Sequence, residues 1–251
     1  MLKKRLIPVL ILRDGQVVQS AAFKHTNIIH WNPVTAVDFF NRWAVDEMIL
    51  LDVSRTLAQR QRFYDALSGL SKKCFVPLAA GGWVTNLDEV RQLLRLGADK
   101  IVINTQAVRN PSFISECAKA CGRQCIVVSI DVRQVDGVYR VAIDRGRELT
   151  AMDASSWAKQ AESLGAGEIF LTSIDKEGSR SGYELPLIQK VVSSVSIPVI
   201  AFGGAFTAEH FVQGIEQAGA DAVAAANVFH FTEQSTKKVK EFMRTSGIAV
   251  R

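Results

Sequence analysis

Short runs of β-branched and apolar residues recur along the chain, and each is followed by a segment whose apolar positions fall at helical spacing. The runs predict strands at Leu6–Leu12, Glu47–Val53, Phe75–Ala79, Lys100–Asn104, Cys125–Asp131, Glu168–Thr172, Pro198–Ala201 and Ala222–Ala225. Between them, Leu87, Val90, Leu93 and Leu94 mark a helix capped by Asn86, and Trp157, Ala158, Ala161 and Leu164 mark another ended by Gly165. Asn32 and Pro33 supply a cap and a first helical residue. Strands and helices alternating in this way point to a single (β/α)8 barrel over residues 1–251, an α/β TIM barrel, with a doubly wound open sheet as the competing arrangement.

The two halves of the chain echo each other. "VPLAAGG" (Val76–Gly82) matches "IPVIAFGG" (Ile197–Gly204), "GADKIVIN" (Gly97–Asn104) matches "GADAVAAA" (Gly219–Ala226), and "DEMILLDV" (Asp46–Val53) matches "GEIFLTSI" (Gly167–Ile174). An internal duplication into half-barrels of about 1–121 and 122–251 is the simplest account. In that register Leu6–Ile11 overlays Ile126–Asp131, and both strands lead into an Asp-Gly turn, Asp14-Gly15 and Asp136-Gly137. Side chains at the C-terminal ends of barrel strands face the active site, so the overlay sets Ile11 where the other half carries the carboxylate of Asp131. Two opposed carboxylates divide acid and base work, and this chain keeps one.

Composition narrows the remaining options. The net charge of +5 permits an anionic partner, but no basic run exceeds three residues, which argues against nucleic-acid binding. No stretch approaches the ~20 apolar residues of a membrane span, and the first strand is too short for a signal segment, so a cytoplasmic protein is expected. Cys117, Cys121 and Cys125 lack a completing His or Cys cluster, and His25 and His30 have no carboxylate at ligand spacing; no metal site and no cofactor are expected.

"GADKIVINTQAVRNP" (Gly97–Pro111), "GAGEIFLTSIDKEGSRSGY" (Gly165–Tyr183), "IPVIAFGGAFTAEHF" (Ile197–Phe211) and "NVFHF" (Asn227–Phe231) resemble the HisF family, the cyclase subunit of imidazole glycerol phosphate synthase, over essentially the whole chain. The resemblance implies a barrel that docks a glutaminase on its bottom face and passes ammonia to a bis-phosphorylated substrate at the top. The family's catalytic pair lies at the ends of the first and fifth strands; Asp131 matches one member and Ile11 stands at the other. Loss of a positioned acid–base group typically costs ~10²–10⁴-fold in rate.

Further departures surround that change. Gln19-Ser20 stands where the family carries Lys-Gly, Gly81-Gly82-Trp83 where it carries three glycines, Phe202-Gly203-Gly204 where it carries Ser-Gly-Gly, and Glu177 replaces an aspartate. Glycines let backbone amides approach phosphate oxygens, which the aromatic side chains would crowd. Gly82, Asn104 and Thr105 match one phosphate site, and Gly178, Gly203, Gly204 and Ala226 match the other, with Asp175 either on substrate or on its own loop. The bottom face is kept: Arg5, Glu47, Lys100 and Glu168 match the four charges of the family's ammonia gate, and Asp99 matches a residue facing the glutaminase, although Ala79 and Val102 replace hydroxyl residues along the conduit. Such charges also commonly just solvate a barrel bottom.

Chains of this type resemble a subfamily linked to acetamidino modification of bacterial surface sugars. That implies a HisH-like glutaminase partner, an ATP-dependent amidating enzyme as a further partner, and a small phosphorylated or sugar-nucleotide substrate. The alternative is the family's own cyclase reaction, run by Asp131 without its partner. A phosphosugar isomerase on the same plan is a third option, but it would need two working acid–base groups.

Overall fold

In the computed structural model, which describes residues 3–30, 32–42, 45–230 and 236–251, the first half runs β1 (Arg5–Arg13), β2 (Gln16–Ala21), β3 (His25–His30), α1 (Pro33–Arg42), β4 (Met48–Asp52), α2 (Arg60–Ser71), β5 (Leu78–Gly81), α3 (Leu87–Arg95), β6 (Lys100–Ile103), α4 (Thr105–Arg109) and α5 (Ser112–Cys121). The second half runs β7 (Ile126–Val135), β8 (Val138–Ile143), β9 (Glu148–Asp153), α6 (Ala154–Ser163), β10 (Glu168–Ser173), α7 (Leu185–Val192), β11 (Val199–Phe202), α8 (Ala208–Glu216), β12 (Ala222–Ala225) and α9 (Thr236–Thr245). Parallel pairing passes from β1 through β4, β5, β6, β7, β10, β11 and β12 and back to β1. This closes the expected (β/α)8 barrel with its helices outside, and excludes the open sheet.

Side chains alternate across each strand and therefore build two cores. Leu6, Leu10 and Leu12 of β1 face the helices, while Ile7, Val9 and Ile11 join Ile49, Ala79, Val102, Val127, Phe170 and Ile200 inside the barrel. Asn86 Oδ1 accepts the Glu89 amide at 3.0 Å to start α3, and Asn32 Oδ1 accepts the Val34 amide at 2.9 Å beside Pro33. Gly165, at φ +107°, ends the turn after α6, a backbone shape that glycine adopts without a Cβ penalty. No helix of the described residues is long and apolar enough to cross a membrane.

β1 and β7 outrun the barrel and fold back as antiparallel hairpins with β2–β3 and β8–β9. Asp14-Gly15 and Asp136-Gly137 make the turns with φ of 52° and 81°, and 49° and 75°, the left-handed pair that suits two-residue hairpins. Pairing registers repeat between halves: Leu6 opposes Val223 and Ile126 opposes Ile101, whereas Ile11 opposes Leu51 and Asp131 opposes Thr172. The overlay of Ile11 on Asp131 is thus a property of the hydrogen-bonded sheet.

One expected strand begins late. Phe75 is 86% exposed, and β5 starts at Leu78, after Pro77. Proline has no amide for a ladder, and the apolar Phe75-Val76 belongs to the approach loop at the barrel bottom.

Candidate functional site

Asp131 lies near the C-terminal end of the barrel, nearly buried. Its Oδ2 accepts from Asn104 Nδ2 at 3.0 Å, and Ser129 Oγ lies 3.5 Å from Oδ1, with the Thr172 hydroxyl also bonded. Burial pushes its carboxyl up to about 7; the Thr172, Ser129 and Asn104 bonds oppose that rise, and the nearby Glu177 charge adds to it. A carboxyl titrating near neutrality exchanges protons readily at physiological pH. Across the barrel, Ile11 is 4% exposed and packs in the inner apolar cluster with no titratable group.

The two glycine turns differ in how they are filled. Gly82 (φ +101°) has no room for a side chain, since a Cβ there would meet the Asp52 carbonyl oxygen at 2.2 Å. Trp83, itself at φ +57°, donates Nε1 to the Ser54 carbonyl at 3.0 Å and so lies along the rim. Thr105 Oγ1 reaches Asn104 Oδ1 at 3.3 Å and accepts the Asp144 amide at 3.0 Å. In the other half, Gly178, Gly203, Gly204 and Ala226 line one pocket with Glu177 and Arg180. Phe202 also borders it, but its ring packs inward on Phe170 at 5.2 Å, so this residue extends the inner core as well as shaping the mouth.

Both hairpins fold onto the mouth. Glu177 Oε2 accepts from Ser20 Oγ and from the Phe23 amide, each at 3.2 Å, and its carbonyl accepts the Ala22 amide at 2.9 Å. Burial raises the Glu177 carboxyl above its ordinary range, outweighing those bonds. Asp175 accepts the Gln134 amide at 2.9 Å and lies 3.7 Å from Arg133 Nε, so in this structure it ties its loop to the second hairpin.

The opposite barrel end carries a closed ring of charge. Arg5 Nη1 lies 2.6 Å from Glu47 Oε2 and 3.0 Å from Glu168 Oε1, while Lys100 Nζ lies 2.8 Å from Glu47 Oε1 and 2.9 Å from Glu168 Oε2. Each carboxylate thus gives one oxygen to each cation. Desolvation by burial pulls the Arg5 pKa down, but the two glutamates together raise it. Asp99 is exposed beside the ring, and its Oδ2 accepts the Leu78 amide at 2.8 Å. Asp46 and Asp221 do the same for Leu6 and Val199, so this carboxylate closes a strand start wherever else it does work.

Sequence reasoning missed several contacts. Arg145, in the turn between β8 and β9, donates Nη1 to the Ser54 carbonyl at 3.0 Å, and Asp52 pairs with Arg60 at 2.9 Å beneath Gly82. Lys240 of α9 pairs with buried Asp46 at 2.7 Å. The side chains of His25, His30, Asn227 and His230, and all of Phe231, lie outside the described residues.

Against known proteins, residues 5–235 match the model of the family described as histidine biosynthesis protein. The imidazole glycerol phosphate synthase subunits HisF of Clostridium botulinum strains Okra, Kyoto and Langeland are each 41% identical over 254 residues, covering the whole of both chains. A complete barrel, a strand-end carboxylate at its mouth and full-length identity of this size agree: the chain belongs to the histidine biosynthesis protein family, as a HisF-like member.

Proposed function

We propose that this chain takes ammonia from a HisH-like glutaminase at the charged end of the barrel and delivers it at the mouth, with the family's cyclase chemistry reduced by the loss of the strand-1 carboxylate. The observation that carries this reading is the contrast between the two ends. Arg5, Glu47, Lys100 and Glu168 form a complete ring, whereas Ile11 faces Asp131 with a hydrocarbon side chain. Between the two ends the interior carries Ile7, Val9, Ile49, Ala79, Val102 and Val127. Such a lining accepts neutral ammonia but opposes ammonium, because burying an unpaired charge is expensive. The acceptor is then a small phosphorylated or sugar-nucleotide substrate, and amidination of a surface-polysaccharide sugar by an ATP-dependent partner enzyme fits a subunit whose own acid–base pair is broken. Asp99 and the ring residues form the glutaminase side in this reading, with Gly82, Asn104, Thr105, Gly178, Gly203, Gly204 and Ala226 on the substrate side.

The second reading is the cyclase itself, run by Asp131 with its carboxyl poised near neutrality. A steady-state cyclase assay with ammonium chloride as nitrogen source separates the two. The first reading expects the wild type to fall ~10²–10⁴-fold below a HisF chain with both carboxylates, and Ile11→Asp to recover part of that loss. Wild-type turnover equal to such a chain ends the first reading. With the glutaminase present, Arg5→Ala should lower the ammonia delivered per glutamine hydrolysed; unchanged coupling would leave the ring as scaffolding.

A further inference from the structure

The turn between β8 and β9 is held in an uncommon backbone shape. Asp144, Arg145 and Gly146 have φ of 50°, 59° and 74°, a left-handed region that non-glycine residues occupy only when their surroundings hold them there. Here the hold comes from the other half of the barrel: the Asp144 amide donates to Thr105 Oγ1, and Arg145 Nη1 reaches the Ser54 carbonyl, at 3.0 Å each. The Arg145 guanidinium lies over the Trp83 ring, 5.8 Å from its centre. One residue of the second hairpin therefore closes on the glycine turn of the first half.

Charge at this place is unbalanced. Asp144 lies 2.6 Å from Arg147 but 3.6 Å from Arg145, and exposed Arg55 adds another cation nearby. Burial, Arg147 and Arg55 together pull the Arg145 pKa below its ordinary range despite Asp144, as expected of a cation short of counter-charge. The second glycine turn has a similar arrangement: Arg180, at φ 62°, lies 4.8 Å over the Phe206 ring, and both line the pocket with Gly203 and Gly204.

We propose that Arg145 is an anion-binding residue of the first-half glycine turn, where its guanidinium, with Asn104 and Thr105, receives a phosphate monoester and adds a charged donor beside the glycine amides. A planar guanidinium meets two phosphate oxygens at once, and the indole beneath fixes its plane. The inference rests on reading the mouth as a phosphorylated-ligand site, and is independent of which acceptor takes the nitrogen.

The test titrates the full chain with ribose 5-phosphate, and with ribose at matched ionic strength, following calorimetric heat and the fluorescence of Trp83, identified as the signal lost in Trp83→Phe. The expected result is saturable binding of ribose 5-phosphate alone, weakened tenfold or more by Arg145→Ala, partly restored by Arg145→Lys, and unchanged by Arg91→Ala, which removes the same charge from α3. Circular dichroism melts of each variant separate loss of binding from loss of fold. Equal affinity in wild type and Arg145→Ala overturns the inference and leaves the mouth reading intact. No binding by the wild type overturns both.

Discussion

At the scale of single residues, Asp131 carries a measurable signature. Its folded carboxyl titrates near 7, well above the ordinary 3.8, chiefly because burial disfavours its charge. A raised folded value means that the unfolded chain releases its proton first as pH rises. Stability from this group is therefore complete below about pH 4, falls between about pH 4 and 7, and is flat above, with a total loss of up to about 4 kcal/mol. Asp131→Asn removes the titration while keeping a polar side chain for Asn104. Urea unfolding at pH 5 and pH 8 should show the variant gaining on the wild type at the higher pH by roughly 2 kcal/mol or more. An identical pH dependence in the two proteins would mean that Asp131 is ionised and well solvated, and would remove it as a neutral-pH proton carrier. Ile11 has no such handle; the sequence overlay could set it opposite Asp131 but could not say how tightly apolar packing closes around it.

At the scale of elements, the barrel strands were legible because buried runs and their repetition are local signals. The Asp-Gly turns were legible for the same reason, since turn chemistry needs only two residues. What local pattern could not show was where the hairpins land. Ser20 and Glu177 are 157 positions apart, and Arg145 and Ser54 are 91 apart, so neither contact leaves a periodic trace. Phe75 failed for the opposite reason: an apolar run beside Pro77 looks like a strand start, but its side chain meets solvent at the barrel bottom. The β2–β3 hairpin tests the importance of these distant contacts. Glu177→Gln replaces an anionic acceptor of the Ser20 hydroxyl and Phe23 amide by a neutral one, which weakens the hold by roughly 1–1.5 kcal/mol. Amide exchange in Gln16–Ala21 and cleavage at exposed Lys24 should then rise about tenfold, while the barrel melts almost as before. Unchanged exchange would show that strand pairing with β1 alone holds the hairpin down.

At the scale of the whole molecule, the charged ring is also a seam. Arg5, Glu47 and Lys100 come from the first half and Glu168 from the second, so two of the ring's four ion pairs cross between halves. Lys240–Asp46 crosses as well, as do the strand pairings β6–β7 and β12–β1. If the halves are structural units, residues 1–121 and 122–251 produced separately should each be poorly soluble, because each exposes two unpaired parallel strand edges. Mixed during refolding, they should form a one-to-one complex with the circular dichroism of the intact chain and one cooperative unfolding transition. Glu168→Gln in the second fragment leaves Arg5 and Lys100 sharing the single carboxylate of Glu47. Since removing one partner of a buried pair typically costs ~3–5 kcal/mol, association should weaken by well over tenfold. Fragments that never combine would reject the half-barrel boundary. Fragments that combine equally well with Glu168→Gln would instead place the stability of the seam in its strands rather than in the ring.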